Sequence, residues 1–176
     1  MRYETVYSCP ATRVIGLEKF AVCHPDWPAV AVGNRVLGGG ATGRLFLDLR
    51  EKHGWTYGAY SQFSKEKDRG AFWAEASCRT EVTDSALTAM LAHVNDIVTK
   101  PVSDAELEGA KSYIVGNFPT TIETPSQIAA QIGQVKLLGL DKEWAYRAIK
   151  AVGNYGEIFE RNVGPKSALK LPRGVN

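Results

Sequence analysis

The sequence predicts an α+β fold, with antiparallel strands gathered in the first half and helices filling the second. Three observations carry this expectation. Two short strand-like stretches, Glu4 to Ser8 and Arg13 to Phe20, are divided by Cys9-Pro10-Ala11, a turn fixed by its proline. A second pair, Trp55 to Ser64 and Ala71 to Arg79, flanks the polar Lys65-Glu66-Lys67-Asp68-Arg69-Gly70 and reads as a hairpin. Beyond Thr83 the apolar residues recur at helical spacing instead.

Each element has its local reason. His24-Pro25-Asp26-Trp27-Pro28 breaks the first strand pattern. The segment Ala29 to Leu37 then has Val30, Val36 and Leu37 as apolar positions but is interrupted by Asn34-Arg35, so it is not a clean buried strand; Gly38 to Gly40 end it. Thr42 to Lys52 predicts a helix with Leu45, Phe46 and Leu49 on its buried face. In the second hairpin strand Phe72, Ala74, Ala76 and Cys78 alternate with Trp73, Glu75, Ser77 and Arg79, the period of a strand with one buried face. A helix capped by Thr83 or Asp84 follows, with Leu87, Met90, Leu91, Val94, Ile97 and Val98 on one stripe, and Pro101 stops it. Ser103-Asp104-Ala105-Glu106 is a capping box opening the next helix, in which Leu107, Ala110 and Ile114 face a core. Thr124-Pro125-Ser126 starts a helix through Leu138, with Ile128, Ile132 and Val135 inward and Gly139 as its end. Two shorter helices, Lys142 to Val152 and Tyr155 to Asn162, precede a strand-like Ser167 to Leu171.

At 176 residues the chain is long enough to bury its own core, and residues 1–176 read as a single domain without repeat, low-complexity tract or linker. A net charge of +2 with no basic stripe argues against nucleic acid as a partner. Cys9, Cys23 and Cys78 are odd in number and form no C-x-x-C, which argues against a disulfide framework and a zinc knuckle and leaves them as buried reduced thiols. No signal-peptide core or bilayer-length apolar run is visible. At face value the chain is soluble and cytoplasmic; as a fragment of a longer chain it would be periplasmic or exported. His24, His53 and His93 are the only histidines, and no two lie four apart, so the chain by itself holds no metal site.

The stretch from Gly38 to Tyr57 allows two readings. Gly38, Gly40 and Gly43 satisfy G-x-G-x-x-G, the spacing of a dinucleotide-binding turn. That reading requires an apolar strand before the glycines and an acid at a strand end about 20 residues on. Asn34 and Arg35 interrupt the first, and the candidate acid, Glu66, lies in a charged turn. The other reading is peptide handling by a glycine loop that opens a helix ending in Arg50, with Tyr57 seven residues later on a strand.

The second reading rests on a collinear series of motifs. Asn34-Arg35-Val36-Leu37-Gly38-Gly39-Gly40, Arg44-Leu45-Phe46 and Leu49-Arg50-Glu51-Lys52-His53-Gly54-Trp55-Thr56-Tyr57-Gly58 stand in order, followed by Thr80-Glu81-Val82-Thr83, Pro101 to Leu107, and Gly116-Asn117-Phe118-Pro119 before Glu123-Thr124. From Cys9 to Leu171 this series resembles the second, non-catalytic domain of the pitrilysin/insulinase-type zinc metallopeptidases. Three departures stand out: Gly43 where serine is usual, Arg13 where glutamine is common, and Pro172 ending the hydrophobic strand expected at the C-terminus.

The resemblance implies a mostly antiparallel (mixed) sheet with helices packed largely on one face, one half of a pitrilysin-type clamshell. It also implies that the chain is the substrate-binding half of a zinc peptidase and not a peptidase alone, because the inverted motif H-x-x-E-H of the catalytic half is absent. Zinc is then expected in a partner domain or subunit carrying that motif, the other partner being peptide substrate; a homodimer is compatible with an exposed partner face. By resemblance Arg50 and Tyr57 bind the substrate backbone and the developing oxyanion in trans to the zinc, and Gly38, Gly39, Gly40 and Arg44 form a substrate-binding loop. The residues taken alone leave a second description open, in which Arg50 sits in a surface salt bridge and the Tyr57 ring in the core. An interaction subunit that keeps the fold and cuts nothing is the other function compatible with the series.

Overall fold

Two β-hairpins are joined into one sheet whose inner face carries the helices. The structure, a computed structural model, describes residues 4–8, 12–20, 22, 24, 26–67 and 70–140 and the single positions 143, 144, 147 and 150; in 4–8 and 12–20 the description is of the backbone. β1 (Glu4–Ser8) pairs with β2 (Thr12–Phe20), as the proline turn predicts. After α1 (Trp27–Leu37), α2 (Arg44–Phe46) runs without a break into a π-helical turn (Leu47–Lys52). The second hairpin, β3 (Thr56–Phe63) and β4 (Gly70–Cys78), follows. A 3-10 turn (Thr80–Val82) leads into α3 (Thr83–Thr99), then come α4 (Asp104–Asn117), a second 3-10 turn (Pro119–Ile122) and α5 (Pro125–Leu137).

The strand order is β1-β2-β4-β3 and every pairing is antiparallel. β2 is central, aligned on β4 from Thr12↔Ser77 to Leu17↔Phe72, so β3 is an edge strand among the described residues. Along β4 the predicted alternation holds: Phe72, Ala74, Ala76 and Cys78 are buried, while Trp73 and Glu75 are half-buried and Ser77 exposed. The buried row meets Leu37, Leu45, Leu49, Met90 and Val94 in the main core. Val32 and Val36 of α1 with Leu107 and Ala110 of α4 form a second, smaller core. The small alanines let α3 and the π-helical turn approach the sheet closely, so the π turn is seated on β3.

Several local expectations are corrected. The segment after Pro28 is helical: the proline sits in the first turn, where its missing N–H costs nothing, and Trp27, Val32, Val36 and Leu37 make a buried stripe. Trp27 meets Phe63 edge to face, with ring centroids 6.4 Å apart, and anchors α1 to β3. Neither Thr83 nor Asp84 caps α3; the preceding 3-10 turn supplies the backbone bonds, and the Thr83 hydroxyl donates to the Arg79 carbonyl at 3.2 Å. The fully buried stripe of α3 is Ala86-Met90-Val94; Leu87 and Ile97 pack against the core partly buried, as expected, while Leu91 is exposed. The capping box at Ser103 is present in both directions, and Gly139, with φ 67°, ends α5 as expected. On α5 the isoleucines do not face a core: Ile128 and Ile132 are 44% and 53% exposed and no residue of the helix is buried. The helices placed at Lys142 to Val152 and Tyr155 to Asn162, the strand at Ser167 to Leu171, and Cys9 and Cys23 lie outside the described residues. Cys78 is buried, its sulfur 3.8 Å from the Thr83 hydroxyl.

Candidate functional site

The glycine loop joins α1 to α2 across the edge of β3. Its floor is Gly38, whose carbonyl accepts from the Ser61 amide at 2.9 Å. Asn34, one turn earlier on α1, reads the same residue with its carboxamide: Nδ2 donates to the Ser61 carbonyl at 3.1 Å and Oδ1 accepts from the Ser61 hydroxyl at 2.9 Å. The backbone of the edge strand is thereby capped at this point. A Cβ on Gly38 would lie 2.7 Å from the Ser61 amide nitrogen, a backbone atom that cannot swing aside.

Arg35 fills the rest of the loop. Its guanidinium donates to the Gly39 carbonyl and, at 3.0 Å, to the Thr42 hydroxyl, while Cζ lies 3.5 Å from the centroid of the Tyr113 ring. A Cβ on Gly40 would collide with this guanidinium. The loop therefore turns the Gly39 carbonyl and the Thr42 hydroxyl toward a cation of its own chain, whereas a phosphate cradle presents amides. The element before it is α1, not a strand, so the dinucleotide-binding unit that G-x-G-x-x-G belongs to is not built here.

Arg44 follows the loop at the start of α2. It holds Glu106 of the α4 capping box by two hydrogen bonds, Nε to Oε1 at 2.7 Å and Nη2 to Oε2 at 2.9 Å. The Arg44 guanidinium, helped by Ser103, holds the Glu106 carboxyl at about 2, and Glu106 in turn raises Arg44 above its ordinary value. A shallow groove between α1, α2 and α4 lies beside this pair, lined by Arg35, Thr42, Leu47 and Ala110 among others.

Arg50 lies on the exposed side of the π-helical turn. Its guanidinium stacks over Phe46, 4.9 Å from the ring centroid, and lies 3.6 Å from Glu51. Phe46 is only 6% exposed and leans on Tyr60 of β3, centroids 5.8 Å apart. The guanidinium thus stands on a buried ring. The π geometry shows in the wide backbone bond from His53 N–H to Asp48 O, five residues back, at 3.1 Å; such turns recur at functional positions. Past Gly54, with φ 61°, the Trp55 N–H closes the helix end on the Leu49 carbonyl at 2.9 Å. Tyr57 is 91% exposed, which excludes the core placement of its ring. Among the described residues its hydroxyl has no hydrogen-bond partner.

The sequence-predicted residues therefore divide. Gly38 and Gly39 border a hollow of about 330 Å³ with Asn34, Tyr60, Gln62 and Glu75; Arg44 is tied to α4, and Arg50 and Tyr57 line neither hollow. Asn34, Arg35, Phe46 and Glu75 carry much of the site's geometry but were not singled out from sequence. Asn34 and Arg35 stood in the motif series; their partners, Ser61 and Tyr113, lie too far along the chain for spacing to reveal.

The histidines are engaged without metal geometry. His93 Nε2 and His53 Nε2 lie 3.0 and 3.5 Å from the Asp48 carboxylate, and Lys52 donates to it at 3.2 Å. Burial alone would raise Asp48; the hydrogen bonds from His93 and Lys52 outweigh it and hold the carboxyl below its ordinary value. Among the described residues no group of three or more His, Cys, Asp or Glu is arranged to hold a metal ion, and no helix is long and apolar enough to cross a membrane.

The family described as "Peptidase M16 inactive domain" matches residues 11–136. An uncharacterised zinc protease of Streptomyces coelicolor is 30% identical over 124 residues, 70% of this chain and 27% of that protein. The crystal structure of a peptidase M16 inactive domain from Pseudomonas fluorescens superposes with a TM-score of 0.78 at 24% identity, over 89% of this chain and 37% of that one, a likeness that shows the fold. A separate, short likeness joins the chain to the general L-amino acid-binding periplasmic protein of Rhizobium johnstonii, 64% identical over 39 residues, 22% of this chain and 11% of that protein. The chain thus spans about a quarter of the zinc protease it matches and about a ninth of the amino-acid-binding protein.

Proposed function

Because the chain belongs to the peptidase M16 inactive-domain family, we propose that it is the substrate-binding half of a zinc peptidase chamber, with Arg50 and Tyr57 as the groups it offers to the reacting peptide. The observation that carries the reading is Tyr57: a tyrosine 91% exposed on a strand whose neighbours Thr56 and Ala59 are buried, its hydroxyl uncommitted, seven residues after an arginine braced on a ring. A free phenol at such a place gains nothing for the isolated domain. Facing a second domain, it becomes a directed donor.

The metal belongs to the other half, a domain or subunit with H-x-x-E-H, where it supplies the activated water and the Lewis acid. This chain's part is electrostatic. A planar guanidinium braced on Phe46 and an exposed phenol meet the negative charge that develops on the peptide carbonyl oxygen, and one such donor contributes about 3 kcal/mol in a water-poor chamber. The bracing by Phe46 reduces the reorganisation Arg50 needs. Gly38 and Gly39 border the hollow beside the β3 edge and, with Gly40 next to them in the loop, take the role of a peptide-contacting rim, while Arg44 ties α2 to α4. The domain unit of this reading is the full chain, 1–176, as part of a longer assembly.

Two other readings stand against specific observations. Dinucleotide binding has no strand ahead of its glycines and an arginine inside its loop. The likeness to an amino-acid-binding protein amounts to 11% of that protein, too little to carry a ligand cleft. A scaffold role without peptidase activity is separated by experiment. Mixed with a zinc-bearing half of the family, the parent chain restores peptide cleavage. Tyr57→Phe, with unchanged stability, lowers kcat at least tenfold, about 1.4 kcal/mol, with a smaller change in KM; Arg50→Lys does likewise because an ammonium lacks the planar fork. Parental turnover in both variants would refute the assignment and leave a scaffold.

A further inference from the structure

We infer that the hollow beside the β3 edge is a subsite for a cationic side chain, lysine or arginine, of the bound peptide; the inference rests on the peptide-chamber reading above. The hollow measures about 330 Å³, the lower end of the range for ligand sites, about 300–1,000 Å³, and so suited to one long side chain.

Its chemistry is one-sided. The Asn34 carboxamide is committed at both ends to Ser61, and the Ser61 amide to Gly38. The polar side chains left to meet a guest are Tyr60, Gln62 and Glu75. Tyr60 and Glu75 are directly opposite across β3 and β4, as are Gln62 and Trp73, so all four project from the sheet face opposite the buried row. On the far side the β2 register pairs Glu75 with Val14. Among the described residues Glu75 has no ion pair. The carboxylate is half-buried, the tyrosine 41% exposed with its ring braced on Phe46.

A carboxylate, a carboxamide and a fixed aromatic face form a set that an ammonium or guanidinium satisfies in full: ion pair, hydrogen bond and cation–π contact. The aromatic ring also covers the methylene stem of such a side chain. An acidic side chain would face Glu75 and the Gly39 carbonyl, and an aliphatic one would strip water from the carboxylate without replacing it. The hollow therefore selects by charge.

The test has two arms. In the isolated chain, amide resonances of Tyr60 and Gln62 are followed while Nα-acetyl-lysine N-methylamide or its norleucine analogue is added. Saturable shifts are expected for lysine alone, and Glu75→Gln abolishes them while the melting temperature stays at the parental value. In the complex with a zinc-bearing half, peptides differing only by lysine or norleucine are compared at successive positions. At one position lysine raises kcat/KM about tenfold, and Glu75→Gln removes that preference without touching Arg50 or Tyr57. Equal shifts with both analogues, or a preference that survives Glu75→Gln, overturns the subsite. If Tyr57→Phe abolishes cleavage yet lysine and norleucine peptides are cut alike, this inference fails and the chamber reading stands. If no mixture cleaves peptide while lysine-selective, Glu75-dependent shifts are present, the chamber reading fails and the cation site stands.

Discussion

Replacing Glu106 by glutamine should cost stability at neutral pH and little near pH 2. In the parent the carboxylate takes two hydrogen bonds from Arg44, 62 residues away, and closes the capping box of α4 with Ser103. Those contacts move its protonation from 4.5 to about 2, nominally about 3 kcal/mol at 1.36 kcal/mol per unit. The Glu106 side chain is 37% exposed, and solvent screening reduces the contribution to about 1–2 kcal/mol. Glutamine preserves the box, since its amide oxygen serves as well at that position, so the substitution isolates the ion pair. A depressed carboxyl stabilises the fold fully above its ordinary 4.5 and loses that effect as pH falls through the folded value near 2. Urea unfolding of parent and variant at pH 7, 4 and 2 reads the difference: about 1–2 kcal/mol at pH 7, or roughly 2–8 °C in Tm, smaller at pH 4 and mostly lost at pH 2. Equal stability at pH 7 would show that the pair contributes nothing. A deficit of constant size down to pH 2 would show that shape, not charge, is being measured.

Other outcomes follow from the same geometry. Gly38→Val should destabilise by about 2 kcal/mol or more, because its side chain meets the Ser61 backbone within 2.7 Å; a circular dichroism melt checks it, and an unchanged Tm refutes the close approach. Tyr113→Leu removes the ring under Arg35 and should cost about 0.5–1 kcal/mol, with the deficit absent in an Arg35→Met background. The Asp48 carboxyl should titrate below 3.8 in a carbon-detected NMR experiment, and its share of stability, present above that value, should disappear as pH falls through its folded midpoint; Asp48→Asn flattens that acid limb.

How much of this was legible in the residues depends on the reach of each interaction. The strands of both hairpins were readable because alternation along β4 and the polar turn before it are local facts. The Ser103–Glu106 box spans three residues and declared itself for the same reason. The helix α1 did not: three valines and Gly33 weaken its intrinsic preference, and it is held by Trp27 against Phe63 and by Val32 and Val36 against α4. The apolar stripe of α5 was visible, but a stripe says only that a partner is wanted. Arg44 was singled out for the loop, yet the structure turns it to Glu106, a pairing no spacing rule predicts. Arg50 and Tyr57 were found through the motif series, and their exposure could only come from coordinates.

The π-helical turn from Leu47 to Lys52 makes the interval between Arg50 and Tyr57 a mechanical length. A helix that widens by part of a residue per turn takes up slack that a loop would otherwise hold, and it does so while Leu49 stays buried and the Trp55 amide stays bonded to the Leu49 carbonyl. Removing one residue would let the turn relax to ordinary α geometry at little cost to the helix. A deletion between the end of the turn and Tyr57, which the helix cannot absorb, would instead draw the start of β3 back by one position and invert which side chains look into the core. Within this stretch, then, natural length variation should be rarer than substitution.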